Sequence, residues 1–321
     1  MRLATVANLV LVPLALVGAG SVVLGLMIAT PVRSPPTLAS IQAGARAIDQ
    51  SDLPALGRFQ ARDGTWLAFR LYPAAGGATD RVAILAHGST ASSSEMHVVA
   101  RGLARAGVTA VALDIRGHGA SGTRGDIAYI GQLEDDLADL VANLRKSYPA
   151  AKLEMIGHSS GGGFVLRIAG GPLAREFDRF VLLSPFLGAR APTSHVDSWA
   201  WPDVPRILAL RALSSAGIDA WQSLPVIAFA NAPEAVMAVT SRYSYRLLMN
   251  YGPPEDWAAA FQAAAGRVDV IAGEADEMMD AAAYKTFLEP LGVKVTLLPG
   301  VDHMGVVHQP AALDALLVAA R

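Results

Sequence analysis

The stretch Leu153-Glu154-Met155-Ile156-Gly157-His158-Ser159-Ser160-Gly161-Gly162-Gly163 decides how the rest of the chain is read. A short apolar run enters a Gly-x-Ser-x-Gly turn, and a helical pattern follows to Ala169. A strand that reverses this tightly into a helix needs glycines beside the apex, because side chains there would collide. Ser159 then sits strained at the apex with its hydroxyl free, and the following helix points its positive end at developing charge. The pentapeptide alone is common. Its position between a strand and a helix makes it a nucleophile site.

Working outward, further short runs rich in Val, Ile and Leu occur at 82–86, 110–113, 180–183, 268–272 and 293–298. Such runs suit strands buried on both faces of a parallel sheet. Helical patterns separate them at 95–106, 131–146, 162–169, 281–288 and 310–320. Before them, Asp63-Gly64 between 58–61 and 66–71 signals a hairpin. The alternation predicts an α/β fold: a mostly parallel central sheet with helices on both faces. From Pro185 to about Ala265 the sequence shows no strand but abounds in apolar and aromatic residues, and 232–249 reads as helical. This region, about 185–265, is expected to be a helical cap inserted after the sixth strand.

A serine hydroxyl is a weak nucleophile without a base and an orienting acid. The run 268–272 ends in Gly273-Glu274-Ala275-Asp276-Glu277, and 293–298 ends in Pro299-Gly300-Val301-Asp302-His303. Both follow strands, and ligands in such sheets bind beyond the carboxyl ends of strands. His303 is the expected base, the other six histidines having no comparable placement. Asp276 is the expected acid, with Glu274 its competitor and Glu277 a solvated neighbour. The turn His87-Gly88-Ser89-Thr90 after 82–86 supplies an oxyanion hole, assigned to the backbone N–H groups of Ser89 and Ser160. His87 itself is expected to brace that loop. The turn Asp114-Ile115-Arg116-Gly117-His118-Gly119-Ala120-Ser121 reads as pinned by side-chain hydrogen bonds, not as a metal site.

Together these residues resemble the α/β-hydrolase superfamily over about 57–321. Within it the chain looks like the branch of lysophospholipases, monoacylglycerol lipases and serine aminopeptidases. The resemblance implies an eight-stranded sheet, a cap after strand six and a serine that cleaves esters or amides. No cofactor or metal is called for. A serine at the elbow argues against dehalogenase or epoxide hydrolase chemistry, for which the superfamily uses aspartate.

Composition narrows the partners. The chain has 321 residues, 52% hydrophobic and 17% charged, with a formal net charge of −2 and no cysteine. Disorder, disulfide scaffolds, thiolate chemistry and nucleic-acid binding are thereby excluded as readings. Residues 1–32 stand apart: no charge falls between Leu3 and Val32. That is long enough to cross a bilayer. An uncleaved single-pass anchor is expected, with a signal peptide cut near Val17-Gly18-Ala19 as the alternative. The amine and Arg2 lie closest to the span, which favours a catalytic domain outside the cytoplasm. Residues 33–56, with Pro35, Pro36 and Pro54, read as a tether to the domain at 57–321.

The expected activity is hydrolysis of a lipid-like ester through an acyl-enzyme on Ser159. An acyltransferase, a peptidase using a cap carboxylate such as Glu234 or Glu255, and a non-catalytic membrane-tethered binding module remain as alternatives.

Overall fold

A computed structural model describes residues 3–77, 79–195, 199–232 and 239–320, with the backbone alone for 3–11. The strands come first, because they place the site. They are β1 (Leu56–Gln60), β2 (Trp66–Tyr72), β3 (Arg81–Ala86), β4 (Thr109–Leu113), β5 (Lys152–His158), β6 (Arg179–Leu183), β10 (Val268–Gly273) and β11 (Lys294–Leu298). They form one sheet in the order β1-β2-β4-β3-β5-β6-β10-β11. β1 and β2 are the expected antiparallel hairpin, β2 meets β4 antiparallel, and the other neighbours are parallel. β3 and β4 are nearly solid Val, Ile, Leu and Ala, and these two and β5 are buried almost throughout, as strands covered on both faces must be.

The covering helices are α3 (His97–Arg105), α4 (Gln132–Ser147), α5 (Ser160–Ala169), α9 (Ala281–Leu288) and α10 (Pro310–Ala319). α5 packs against β5 and β6 with Phe164, Val165, Leu166 and Ile168 buried. The alternation in the sequence and the alternation in space agree. This is the α/β-hydrolase fold.

The insertion between β6 and β10 is not purely helical. It contains α6 (Val204–Ser215), α7 (Tyr245–Asn250) and α8 (Trp257–Ala263). It also holds a three-stranded antiparallel sheet of β7 (Ala200–Pro202), β8 (Pro225–Phe229) and β9 (Arg242–Ser244). The expected strand-free cap is thus corrected. β7 and β9 have three residues each, too short to show a period of two, and β8 carries its apolar run among many others. The expected helix at 232–249 is corrected too: 242–244 is strand and 245–250 helix, while 233–238, with Glu234, lies outside the described residues.

The N-terminal region departs further from expectation. α1 (Leu3–Ala29) is one helix, long and apolar enough to cross a membrane by length and composition. Its end docks on the cap: Thr30 Oγ1 donates to Asp203 at 2.7 Å, and Arg206 Nε donates to the Ile28 carbonyl at 2.9 Å. Residues 33–56 are not a free tether. They contain α2 (Ala39–Ala47), whose Ile41 is buried in the main core together with Ile48 just beyond the helix. Gly44 lies so close to Met304 that a Cβ there would sit 2.4 Å from the Met304 Cβ. Beyond α2, Asp52 accepts from His97 at 2.9 Å and from Arg101 at 2.7 Å. The prolines that signal extended chain bracket this helix; its docking depends on partners about 45 to 260 residues away, which local pattern does not reveal.

Candidate active site

The elbow is built by close backbone approach. Ser159 has φ 52° and ψ −119°, a strained conformation for a residue with a side chain. A Cβ on Gly157 would lie 2.3 Å from the Gly161 carbonyl oxygen, and one on Gly161 would lie 2.3 Å from the His87 carbonyl oxygen. Both glycines are therefore required by sterics. Ser159 precedes α5 as its N-cap, and Ser160 opens the helix with an N–H that has no intrahelical acceptor.

Asp276 follows β10 and His303 follows β11. His303 Nδ1 donates to Asp276 Oδ2 at 2.9 Å, and both side chains are buried. Asp276 Oδ1 also accepts the backbone N–H groups of Met278 and Met279, each at 2.9 Å. Burial pushes the Asp276 carboxyl up, but His303 and these donors outweigh it and hold the carboxyl below its usual range. Burial likewise opposes charge on His303, yet Asp276 raises its pKa above the ordinary histidine value. Of the three carboxylates, Asp276 is the one paired with the His303 ring, while Glu274 is exposed. Glu277 is more than a solvated neighbour: its Oε2 accepts the His303 backbone N–H at 3.1 Å. Asp302 turns away to accept the Gly305 N–H at 2.6 Å.

Ser159 and His303 line one cavity of about 140 Å³, together with Ser89, Trp199, Met278 and Met304. No hydrogen bond among the described residues joins the two directly. Such contacts are often long without substrate and tighten when it binds. Ser89 Oγ and Ser160 Oγ are hydrogen-bonded at 2.5 Å, which brings the two expected oxyanion donors side by side. His87 Nε2 accepts the Ile115 N–H at 3.3 Å, so its proton is on Nδ1, which donates to the Gly88 carbonyl at 2.8 Å. That ring braces the loop and faces no substrate role. Asp114 accepts from Ser93 N and Ala120 N, both at 2.8 Å, pinning the fourth turn.

Three residues escaped the sequence reading. Glu95 accepts the Gly88 N–H and lies 3.3 Å from His158 Nδ1, while His158 Nε2 donates to the His303 carbonyl at 3.1 Å. Tyr243 of β9 accepts the Thr90 N–H at 2.9 Å and meets His118 Nε2 at 2.7 Å, fastening the cap to the oxyanion loop. A buried Glu following a Ser run and a Tyr in a cap strand carry no local signal for these roles. Glu255, the other cap carboxylate considered for amine recognition, is exposed and paired with Arg211 at 3.1 Å.

Fold, strained serine and buried His–Asp pair define an α/β hydrolase. More narrowly, residues 77–307 match the family described as Serine aminopeptidase, S33, and the chain belongs to that family. A monoacylglycerol lipase of Mycolicibacterium smegmatis is 34% identical over 116 residues, 36% of this chain and 41% of that protein. The chain thus matches less than half the length of this curated relative. Among solved structures, a soluble variant of monoglyceride lipase from Saccharomyces cerevisiae has a TM-score of 0.59 at 17% identity, covering 84% of this chain and 96% of its own. A membrane phospholipase A, described as a bacterial virulence factor, has a TM-score of 0.57 at 18% identity, covering 97% of this chain and 96% of its own. These two likenesses concern the fold.

Proposed function

We propose that the protein is a serine hydrolase that cleaves lipid-like carboxylic esters at Ser159. The observation that carries this reading is the buried Asp276–His303 pair opening onto the same cavity as the strained Ser159. In the proposed cycle Ser159 Oγ attacks the ester carbonyl carbon and its proton passes to His303 Nε2. Asp276 holds the Nδ1 proton and stabilises the imidazolium. The N–H groups of Ser89 and Ser160 receive the oxyanion of the tetrahedral intermediate. Collapse expels the alcohol, which takes the proton from His303. Water, deprotonated by the same imidazole, then releases the acid and restores Ser159.

The lipid-like substrate is supported by the apolar lining of Trp199, Val239, Met278 and Met304, and by the activity named for the mycobacterial relative. Anchoring by α1 is supported by its length and exposure. It is supported as well by exposed apolar residues of the cap: Val204 and Leu208 on α6, which clasps the end of that helix, and Trp201 and Trp221 in the segments flanking α6. Arg2, beside the span, supports a domain outside the cytoplasm.

Activity-based labelling with a fluorophosphonate, paired with an acyl-ester series, tests the reading. The full chain should label and hydrolyse, and Ser159→Ala should do neither, with a loss of about 10⁶ in kcat. Absence of labelling in the unmodified chain would refute it.

A further inference from the structure

Two side chains in the cavity have donors that no described residue accepts. Gln42, on α2, and Asn231, in the cap just after β8, both line the cavity that holds Ser159 and His303. The amide nitrogen of each is buried and has no hydrogen-bond partner among the described residues. The orientation of Gln42 is fixed, because its Oε1 accepts from Arg46 Nη2 at 3.3 Å and a guanidinium can only donate. Its –NH₂ is the unused end. Asn231 Oδ1 accepts from Thr90 Oγ1 at 3.4 Å, which leaves its –NH₂ as the unused end. A buried donor without a partner costs about 1–3 kcal/mol, so two of them beside a reactive serine need a ligand-side explanation.

The chemistry of the partner follows from the lining. Two neutral –NH₂ groups call for acceptor oxygens. Among the described residues that line the cavity there is no Lys or Arg, and Glu95 presents a carboxylate to it. The neighbouring sequence Pro-Glu-Ala-Val-Met-Ala at 233–238 holds no cation either. An anionic headgroup would meet no countercharge here, and an uncharged one would be satisfied by the amides. Meanwhile α2 is held in place by Ile41, by the Gly44–Met304 contact and by Asp52 on His97 and Arg101. Gln42 is thus presented on a docked element.

We propose that Gln42 and Asn231 form a hydrogen-bonding subsite for uncharged oxygens, hydroxyl or ether, on the alcohol portion of the ester. The segment after the apolar helix is then a wall of the substrate site. This rests on Ser159 being the nucleophile.

The test compares, on the full chain in detergent micelles, a glycerol monoester and the methyl ester of the same fatty acid. Gln42→Met and Asn231→Leu, each made alone, should lower the glyceryl-to-methyl ratio of kcat/KM about five- to tenfold, mainly through KM. The ratio within one preparation cancels any loss of folded enzyme. The unmodified chain should also prefer the glycerol ester to a lysophospholipid of equal acyl chain. An unchanged ratio in both variants, or preference for the phosphate-bearing ester, would overturn the subsite. A chain that neither labels with fluorophosphonate nor cleaves any of the three esters would instead overturn the nucleophile assignment.

Discussion

Tyr243→Phe removes one oxygen atom and tests how the cap supports catalysis. Burial drives His118 well below its usual pKa, so its ring is neutral. With Nδ1 directed at the Arg116 carbonyl, Nε2 is the acceptor and the phenol O–H donates to it at 2.7 Å. The same oxygen accepts the Thr90 N–H at 2.9 Å. Phenylalanine leaves both groups buried and unpaired, at about 1–3 kcal/mol each, so a loss of about 2–6 kcal/mol is expected. For a domain of this size that lowers the thermal midpoint by about 5–12 °C. Thr90 also has φ 68°, and this strained residue is held by Tyr243, by the Thr240 N–H on its carbonyl at 2.9 Å, and by Asn231. It directly follows Ser89. Relaxation of Thr90 should misplace the Ser89 donor and reduce kcat about ten- to a hundredfold, within the range for loss of one oxyanion contact. Thermal unfolding followed by tryptophan fluorescence and ester hydrolysis on the same sample give both numbers. A midpoint within 1 °C and a rate within twofold of the unmodified chain would refute the reasoning.

Three further predictions concern the His303–Asp276 pair and the seat of α2. Because Asp276 raises the pKa of His303 and the base must be neutral, kcat/KM should fall with acid through a midpoint above 6.5. Asp276→Asn should lower both that midpoint and kcat, the latter about 10⁴-fold; a pH–rate profile with the midpoint unmoved would count against the pair. In stability the raised His303 contributes below 6.5 and is lost as pH rises through its folded value, whereas the lowered Asp276 contributes above 3.8 and is lost as pH falls through its own. Gly44→Val should push α2 off Met304, exposing the bond after Arg46 to trypsin and lowering ester turnover at least tenfold; unaltered digestion would show the helix to be less tightly seated than its 2.4 Å clearance implies.

The elements legible in the sequence are those whose cause is local. The buried strands, the hairpin at Asp63-Gly64 and the apolar helix at 3–29 follow from runs of apolar residues and their punctuation. The elbow was legible in part because Gly157 is forced by a neighbour within a few residues, Gly161 of the same turn, whereas Gly161 is forced by the distant His87 carbonyl. Asp276 and His303 were legible as residues following strands in a sheet whose topology the alternation implies. What the sequence did not show is the set of backbone donors to Asp276, which only the folded turn brings together.

Everything decided by distant partners had to wait for the tertiary structure. The cap sheet depends on pairing β8 with two three-residue strands, one on each side, the first of them across α6. α2 reads as a tether between prolines, and it is a docked wall because Met304, His97 and Arg101 lie across from it. Tyr243 and Gln42 are ordinary residues in their own segments. They matter because the fold sets one against Thr90, 153 residues away, and the other beside Ser159. The sequence by itself determined the sheet, the long apolar helix and the chain order of Ser159, Asp276 and His303 after their strands, since backbone sterics and hydropathy act over short stretches of chain. Only the tertiary structure decided what surrounds them, because hydrogen bonds and contacts between remote segments exist only once the chain has closed on itself.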